Sequence, residues 1–463
     1  MDPIENNQID QESGLATTLH SRHITMIAFG GAIGAGIFVG AGTEISRIGP
    51  AVALGYLVVG ALAAIAMRLL SVQTRLNPDS GAFATHVGDA FGHIGRFAVG
   101  WMYWWLMAAT TSVECIAAAD IAHGWLPSLP AWAWSVLFFC TLTAVNLAPV
   151  RVFGEFQFWL VLFKVATVVA VPVLALLAAL GVLPGIHSPG MRNIVDNGGL
   201  MPRGWGSLFP GILLAAFAFV GIEMTAVASA EARRPGRDME RSTRIVTYAV
   251  AVFYVLALLM TVVLIPWHDP TVAKSPFEAL LKALHVPAAA TVIDIVVFTA
   301  LLSVANSCIY AASRISHALA KQHDAPKSWA QLSTTRVPAA AIGATASVGL
   351  VITLFGYFAP DALFTALIDS SGAVILMVWI GIALSYLRLR AKSRTRFRAE
   401  PRHSSRRLEL AAWIVSVATA TMLIGMIFVD DTQLDLIMTV VLVSVIFLIV
   451  LWRETNQSAD PEW

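Results

Sequence analysis

The first long apolar segment of the chain contains the run GGAIGAGIF, from Gly30 to Phe38, and Gly40 follows two residues later. Five glycines within eleven residues are unfavourable for a continuous helix. Each one weakens a helix interior by about 1 kcal/mol relative to alanine. The run therefore predicts a helix that is interrupted near its middle.

The sixth apolar segment has a milder counterpart, the run FAFVGIE from Phe217 to Glu223. Interrupted helices at corresponding positions of two halves are typical of transporters with inverted repeats, whose substrate site lies near the membrane midplane. The alternative is close packing of helices through small residues, which also favours short glycine spacings.

The composition points to a membrane protein. Of the 463 residues, 57% are hydrophobic and 13% are charged, and the mean hydropathy is +0.73. So few charges cannot cover several water-facing domains, so most of the surface must face lipid. The net charge of +1 excludes the basic surface of a nucleic-acid-binding protein. The three cysteines lie in apolar segments without C-x-x-C spacing, so no disulfide framework, metal site or cofactor is expected.

Twelve apolar segments of about 18 to 28 residues are each long enough to cross a bilayer. None alternates as a barrel strand does, so the predicted fold is an all-α polytopic membrane protein of twelve transmembrane helices, with helices 1 and 6 discontinuous. The predicted divisions are a cytoplasmic N-terminal tail (1–22), helices 1–5 (23–184), helices 6–10 (185–390), a basic cytoplasmic loop (391–407), helices 11–12 (408–452) and a cytoplasmic C-terminal tail (453–463).

The basic residues predict the orientation, because Lys and Arg resist translocation across the membrane. Of the 30, 24 lie in the tails and even-numbered connections, five lie on the opposite side, and Lys164 lies within a span. Both termini are therefore expected in the cytoplasm. Nine of the 24 lie between Arg388 and Arg407, a run that indicates a topology anchor; lipid-specific binding is the alternative.

The two interrupted helices predict what the site binds. Amides at the start of a half-helix attract an anion, and carbonyls at the end of a half-helix attract a cation. An amino acid zwitterion suits both, with its carboxylate near the amides of residues 34–37 and its ammonium group against the carbonyls of Ala32 and Phe217.

Two polar residues in other apolar segments, Thr111 and Asn306, join the predicted site; hydrogen bonding between helices is the alternative for both. The predicted substrate-binding residues are Ala32, Ile33, Gly34, Ala35, Gly36, Ile37, Thr111, Phe217, Ala218, Phe219, Gly221 and Asn306.

Four ionisable residues lie deep in apolar segments: Asp369 and the three candidates Lys164, Glu114 and Glu223. Each costs about 2.5 to 3.5 kcal/mol on insertion scales, so it requires a partner or a function. A lysine or carboxyl group removed from water can exchange its proton near neutral pH, so the three candidates are predicted to carry a coupling proton. A permanent buried ion pair between Lys164 and a carboxylate is the alternative.

Further motifs occur in order along the chain. They are Gly100-Trp101 with Tyr103-Trp104, Phe153-Gly154-Glu155 through Trp159 to Lys164, Gly221-Ile222-Glu223 followed by Glu231 and Pro235, Ile265-Pro266-Trp267, Ser275-Pro276-Phe277, Asn306-Ser307 with Ser313-Arg314, and Ala325-Pro326-Lys327. With the first glycine run they resemble bacterial amino acid permeases, in the amino acid transporter branch of the amino acid, polyamine and organocation superfamily. The resemblance covers about residues 20 to 452. Within the family, residues 218–221 and Asp430-Asp431-Thr432 are most similar to the D-alanine, D-serine and glycine permeases.

The resemblance implies a LeuT-like fold of two inverted five-helix repeats followed by two further helices. It places the substrate between helices 1, 3, 6, 8 and 10 and implies proton-coupled uptake. It also implies that Lys164 occupies the place that sodium fills in sodium-coupled relatives, between helices 1 and 8, and that Glu114 matches a helix-three carboxylate of several permeases.

Two positions depart from the family pattern. The Gly-Glu pair that usually follows the arginine of helix two is replaced by Ser71-Val72, which removes a cytoplasmic gate contact. The usual Gly-Thr-Gly of helix one is Gly34-Ala35-Gly36, which removes a hydroxyl group near the site.

The sequence thus predicts a proton-coupled symporter that imports neutral amino acids across the bacterial cytoplasmic membrane by alternating access. Amino acid exchange or facilitated diffusion is the alternative within transport, and a non-transporting amino acid sensor is the alternative from another class. An enzyme is not expected, because the chain contains no HExxH or GxSxG motif and no carboxylate cluster.

Overall fold

The structure is a computed structural model that describes residues 14–76, 82–186, 189–232, 235–358, 361–392, 402–428 and 433–457. Within these ranges the regular secondary structure is helical, apart from one isolated β-bridge between Leu19 and Ala232. The prediction of an all-α protein is confirmed for this part of the chain. The predicted motif at 430–432 lies outside the described residues.

The first half of the chain forms seven α-helices and one π-helix. They are α1 (Ser21–Ala32), the π-helix (Gly36–Gly40), α2 (Ala41–Ile48), α3 (Val52–Leu76), α4 (Ala82–Phe91), α5 (His93–Trp125), α6 (Ala131–Leu147) and α7 (Val150–Ala179).

The second half forms eleven described α-helices, joined in three places by short 3-10 turns. They are α8 (Met191–Asp196), α9 (Leu208–Phe217), α10 (Met224–Ser229), α11 (Pro235–Leu264), α12 (Pro270–Lys274), α13 (Pro276–Ala283), α14 (Ala289–Lys321), α15 (Ala339–Phe358), α16 (Asp361–Lys392), α17 (Arg402–Gly425) and α18 (Gln433–Gln457).

Nine of the described helices are long and apolar enough to cross a membrane, namely α3, α5, α7, α11, α14, α15, α16, α17 and α18. The other three predicted apolar segments form shorter pieces. The first is divided into α1, the π-helix and α2, and the sixth into α9 and α10, while the fourth is the 17-residue helix α6. This pattern is that of a multi-pass membrane protein.

The core lies around α5 and α14, which pack against each other along their length. In each, 67% of the most apolar stretch is buried inside the protein, whereas the figure for α18 is 17%. Large apolar side chains face outward on the peripheral helices, among them Trp159, Phe358 and Leu448. An apolar exterior of this kind fits a protein whose surrounding solvent is lipid.

The structure adds detail at two of the predicted segments. Leu15 and Leu19 are fully buried, and the Leu19 amide donates to the carbonyl oxygen of Glu231 at 3.0 Å, so the described end of the predicted N-terminal tail is packed on the protein. The predicted loop at 391–407 is helical at both ends, since α16 continues to Lys392 and α17 begins at Arg402.

Candidate functional site

The first apolar segment is interrupted within its glycine run. Helix α1 ends at Ala32, and Ile33 adopts an extended conformation with φ −100° and ψ 96°. The π-helix begins at Gly36. The break exposes one helix end and one helix start to the interior of the protein, which is the arrangement that the predicted zwitterion site requires.

The sixth segment is interrupted as well. Helix α9 ends at Phe217 and α10 begins at Met224, with consecutive turns over residues 218–223. Gly221 has φ +101°, a conformation that residues with a side chain rarely adopt. The turn therefore requires glycine at this position.

The two interruptions touch each other. A Cβ atom placed on Gly221 would overlap the backbone of Gly31, and one on Gly36 would lie 3.0 Å from the Cα atom of Ala218. The glycines thus serve both roles considered from the sequence, since they accompany a break in each helix and also let the two backbones approach closely.

Lys164 is fully buried on α7 and directs its ammonium group at the first interruption. Its Nζ donates to the carbonyl oxygens of Gly30 at 2.8 Å and Ile33 at 2.7 Å, and to Ser303 Oγ at 2.5 Å. None of these three acceptors is a carboxylate, so the contacts of Lys164 are not those of the ion pair considered as an alternative. The lysine connects the end of α1 to α14.

Glu114, on α5, lies on the other side of the same break. Its Oε1 accepts a hydrogen bond from the Ala35 amide at 3.3 Å, and a Cβ atom on Gly34 would lie 2.8 Å from this oxygen. Its Oε2 is buried with no hydrogen-bond partner among the described residues. The carboxyl group therefore occupies space beside the amides that the sequence assigned to the substrate carboxylate.

Glu223 stabilises the second interruption. Its two carboxylate oxygens accept hydrogen bonds from the Gly221 amide at 3.0 and 3.2 Å, and the side chain is fully buried. The hydroxyl group of Tyr103 is also buried, and it forms no hydrogen bond with any described residue. Glu223 thus stabilises the turn as a structural partner. It also remains a candidate proton carrier.

The two carbonyls predicted to meet an ammonium group already have partners. Tyr254 donates its hydroxyl proton to the carbonyl oxygen of Ala32 at 2.8 Å, and the Val220 amide donates to that of Phe217 at 3.1 Å. A carbonyl oxygen has two lone pairs, so each can accept one further hydrogen bond.

Asn306 belongs to a chain of buried amides that joins three helices. Asn146 Nδ2 donates to Asn306 Oδ1 at 2.8 Å, and Asn306 Nδ2 donates to Gln157 Oε1 at 2.7 Å. Gln157 Nε2 continues to Ser307 Oγ at 2.8 Å. The contacts of Asn306 are therefore those of the interhelical alternative.

Thr111 lies on α5, is buried, and donates its hydroxyl proton to the carbonyl of Met107 at 2.8 Å. This bond within the helix leaves the hydroxyl oxygen able to accept another.

An aromatic cluster at the interruptions includes two residues that sequence reasoning missed. The rings of Tyr56 and Tyr254 lie 6.1 and 5.7 Å from that of Phe219, measured between centroids. Tyr56 also donates to Glu44 Oε1 at 3.3 Å. Tyrosines within apolar segments were the available signal, because a buried hydroxyl group usually has a partner.

Comparison with known proteins agrees with this arrangement. A family model described as amino acid permease matches residues 23–460. The chain belongs to the amino acid permease family. It is thus a transporter and not an enzyme.

Several characterised relatives align with nearly all of this permease. It is 34% identical to the gamma-aminobutyric acid permease of Bacillus subtilis over 94% of this chain and 93% of that protein. It is 35% identical to the gamma-aminobutyric acid permease of Escherichia coli, with 93% of both chains covered. It is 34% identical to an aromatic amino acid transport protein of Corynebacterium glutamicum, with 89% of both covered. These relatives support amino acid transport, and they do not belong to the D-alanine, D-serine and glycine group that the sequence favoured.

Proposed function

We propose that this permease is a proton-coupled symporter that imports neutral amino acids by alternating access. In this proposal it crosses the bacterial cytoplasmic membrane twelve times, with both termini in the cytoplasm and two inverted repeats at 23–184 and 185–390. The observation that carries the proposal is the position of Lys164, buried between the end of α1 and Ser303 of α14.

The hydrogen bonds of Lys164 link its proton to the position of α1. A charged lysine carries three N–H donors, and three acceptors surround Nζ. Loss of one proton removes a donor and also the attraction between the positive charge and the carbonyl end of α1. Deprotonation therefore loosens α1 from α14, and this step couples the proton to the opening of the site.

Glu114 links the substrate to the same break. A substrate carboxylate that approaches the amides of residues 34–37 meets the Glu114 carboxyl group, which contacts the Ala35 amide. Two carboxylates at this distance repel each other, so a protonated Glu114 favours substrate binding. Protonation and substrate binding thereby support one another.

The substrate is a zwitterionic amino acid whose apolar atoms contact the cluster of Tyr56, Phe219 and Tyr254. Gamma-aminobutyric acid and the aromatic amino acids, named for the relatives, are the first candidates, followed by glycine and the D and L forms of alanine and serine. All are neutral overall, as expected for a site that relies on helix ends rather than on an arginine.

The proposal is tested with purified permease in proteoliposomes and radiolabelled candidates. An inward proton gradient is expected to drive accumulation above the external concentration, and a protonophore is expected to abolish it. Accumulation that ignores the gradient would overturn proton coupling. Counterflow without any net accumulation would identify an exchanger or facilitator, and ligand-induced thermal stabilisation without flux would identify a sensor.

A further inference from the structure

A cavity of about 340 Å³ lies between α3 and α11, and all of its lining residues belong to these two helices. Its wall includes Arg68 and Ser71 from α3, and Glu240, Arg244 and Thr247 from α11. The cavity is open on one side, and its charged residues lie toward the end of α3 and the beginning of α11. It therefore lies where two membrane helices approach the water interface.

The charge at this cavity is positive. Arg68 and Arg244 each donate to Glu240 Oε1 at 3.0 Å, and Arg75 lies 4.0 Å from Glu240 Oε2. The charged groups that line the cavity are two guanidinium groups and one carboxylate, which leaves a net charge of +1. A guanidinium group has five N–H donors, so Arg68 and Arg244 are suited to bind an anion while they contact Glu240.

A buried hydroxyl group in the wall also lacks a partner. Thr247 Oγ1 forms no hydrogen bond with any described residue, although the side chain is 2% exposed. A buried polar group without a partner costs free energy, so a ligand that accepts or donates a hydrogen bond here removes that cost.

The surface beside the cavity is apolar. Leu57 and Val58 on α3 are 55% and 45% exposed, and Val252 on α11 is 58% exposed. Arg68 lies about 16 Å along α3 from Leu57, at 1.5 Å per residue, a distance comparable to an acyl chain. A molecule with an anionic head and apolar tails matches both parts of this surface.

We propose that the cavity binds the phosphodiester headgroup of an anionic phospholipid, whose acyl chains lie along the apolar faces of α3 and α11. Arg68 and Arg244 bind the phosphodiester oxygens, and Thr247 hydrogen-bonds to the headgroup. Basic pockets between membrane helices bind anionic lipid headgroups in this way. A free phosphate ion would use the arginines but not the apolar faces.

Native mass spectrometry of the full-length protein in detergent tests the proposal. Phosphatidylglycerol and phosphatidylcholine with identical acyl chains are titrated onto the wild type and onto Arg68→Gln/Arg244→Gln. The variant is expected to bind phosphatidylglycerol about 25-fold more weakly, at about fivefold per arginine. Arg151→Gln/Arg192→Gln, which removes two exposed arginines from α7 and α8, is the matched control and is expected to retain wild-type affinity.

Thr247→Val separates binding from folding. Its hydroxyl group has no described protein partner, so the lipid-free variant is expected to match or exceed the wild-type Tm while its affinity for phosphatidylglycerol falls about fivefold. Equal affinity of the wild type for the two lipids, or equal losses in the pocket and control variants, would overturn the proposal. Displacement of the lipid by an equal concentration of inorganic phosphate would show a free-anion site instead, and would also overturn it.

Discussion

Lys164 Nζ lies 2.7 Å from the carbonyl oxygen of Ile33, the first residue after α1. The ammonium group thus caps the carbonyl end of a helix that stops inside the protein, where water is not available to do so. This contact joins the helix break to the one buried lysine in the described spans. The predictions below begin with it.

Replacement of Lys164 by methionine keeps most of the length of the side chain but removes all three donors. We expect Lys164→Met to reduce uptake driven by a proton gradient by about 100-fold, the usual contribution of a group that transfers a proton. Uptake into proteoliposomes measures the effect. Lys274→Met, at an exposed lysine outside the spans, is the control and should transport normally. Wild-type accumulation by Lys164→Met would contradict the role of this lysine.

Alanine at Gly221 should destabilise the protein. The new Cβ atom would meet the backbone of Gly31 at a residue whose φ is +101°, so we expect a loss of about 2 to 4 kcal/mol. Gly343→Ala is the matched control, because nothing lies within 4 Å of a Cβ atom there and alanine favours the helix by about 1 kcal/mol. Thermal unfolding in detergent compares the two variants. Equal Tm values for Gly221→Ala and Gly343→Ala would show that the interruption does not need glycine at position 221.

Glu231, which follows α10, forms a buried ion pair with Arg314 of α14. Arg314 Nε donates to Glu231 Oε1 at 3.0 Å, and both side chains are 1% exposed. Glu231→Gln leaves a buried charge without its partner, so we expect a loss of about 3 to 5 kcal/mol. The double variant Glu231→Gln/Arg314→Met should recover part of this lost stability, because it also removes the unpaired charge.

The control for this pair is Glu240→Gln, whose arginine partners Arg68 and Arg244 are 44% and 63% exposed. An exposed ion pair contributes about 1 kcal/mol or less to stability, so the Tm of Glu240→Gln should change little. Equal Tm shifts for the two glutamine variants would argue against the buried pair as a stabilising contact.

Asn306 was predicted to contact the substrate, yet its amide bonds to Asn146 and Gln157. Asn306→Ala and Asn146→Ala should therefore lower the Tm to a similar degree, since each leaves a buried amide unpaired at a cost of about 1 to 3 kcal/mol. Substrate Kd, from isothermal titration, distinguishes the roles. A large increase in Kd for Asn306→Ala with an unchanged Tm would restore it to the binding site.

The sequence predicted the helices and the interruptions in the first and sixth apolar segments. Glycines at 30, 31, 34, 36 and 40, and Gly221, weaken helix formation locally, and a local effect can be identified without knowledge of neighbours. The buried positions of Lys164, Glu114 and Glu223 also followed from the sequence, because a charge within an apolar segment of this length has no place outside the membrane.

The partners of these residues could not be predicted in the same way. The sequence left a carboxylate partner for Lys164 open, and only the packing of α7 against α1 and α14 put carbonyls and Ser303 around it. The sequence left both substrate binding and interhelical hydrogen bonding open for Asn306, because its segment gives no sign of Asn146, 160 residues away, or of Gln157.

The sequence by itself thus determined that this protein lies in a membrane as apolar helices and that two of them are interrupted, because hydropathy and glycine content act over a few residues. The tertiary structure decided which groups fill the space at the interruptions. Hydrogen bonds such as that from Lys164 to Ile33 join residues 131 positions apart, and their geometry depends on how whole helices pack.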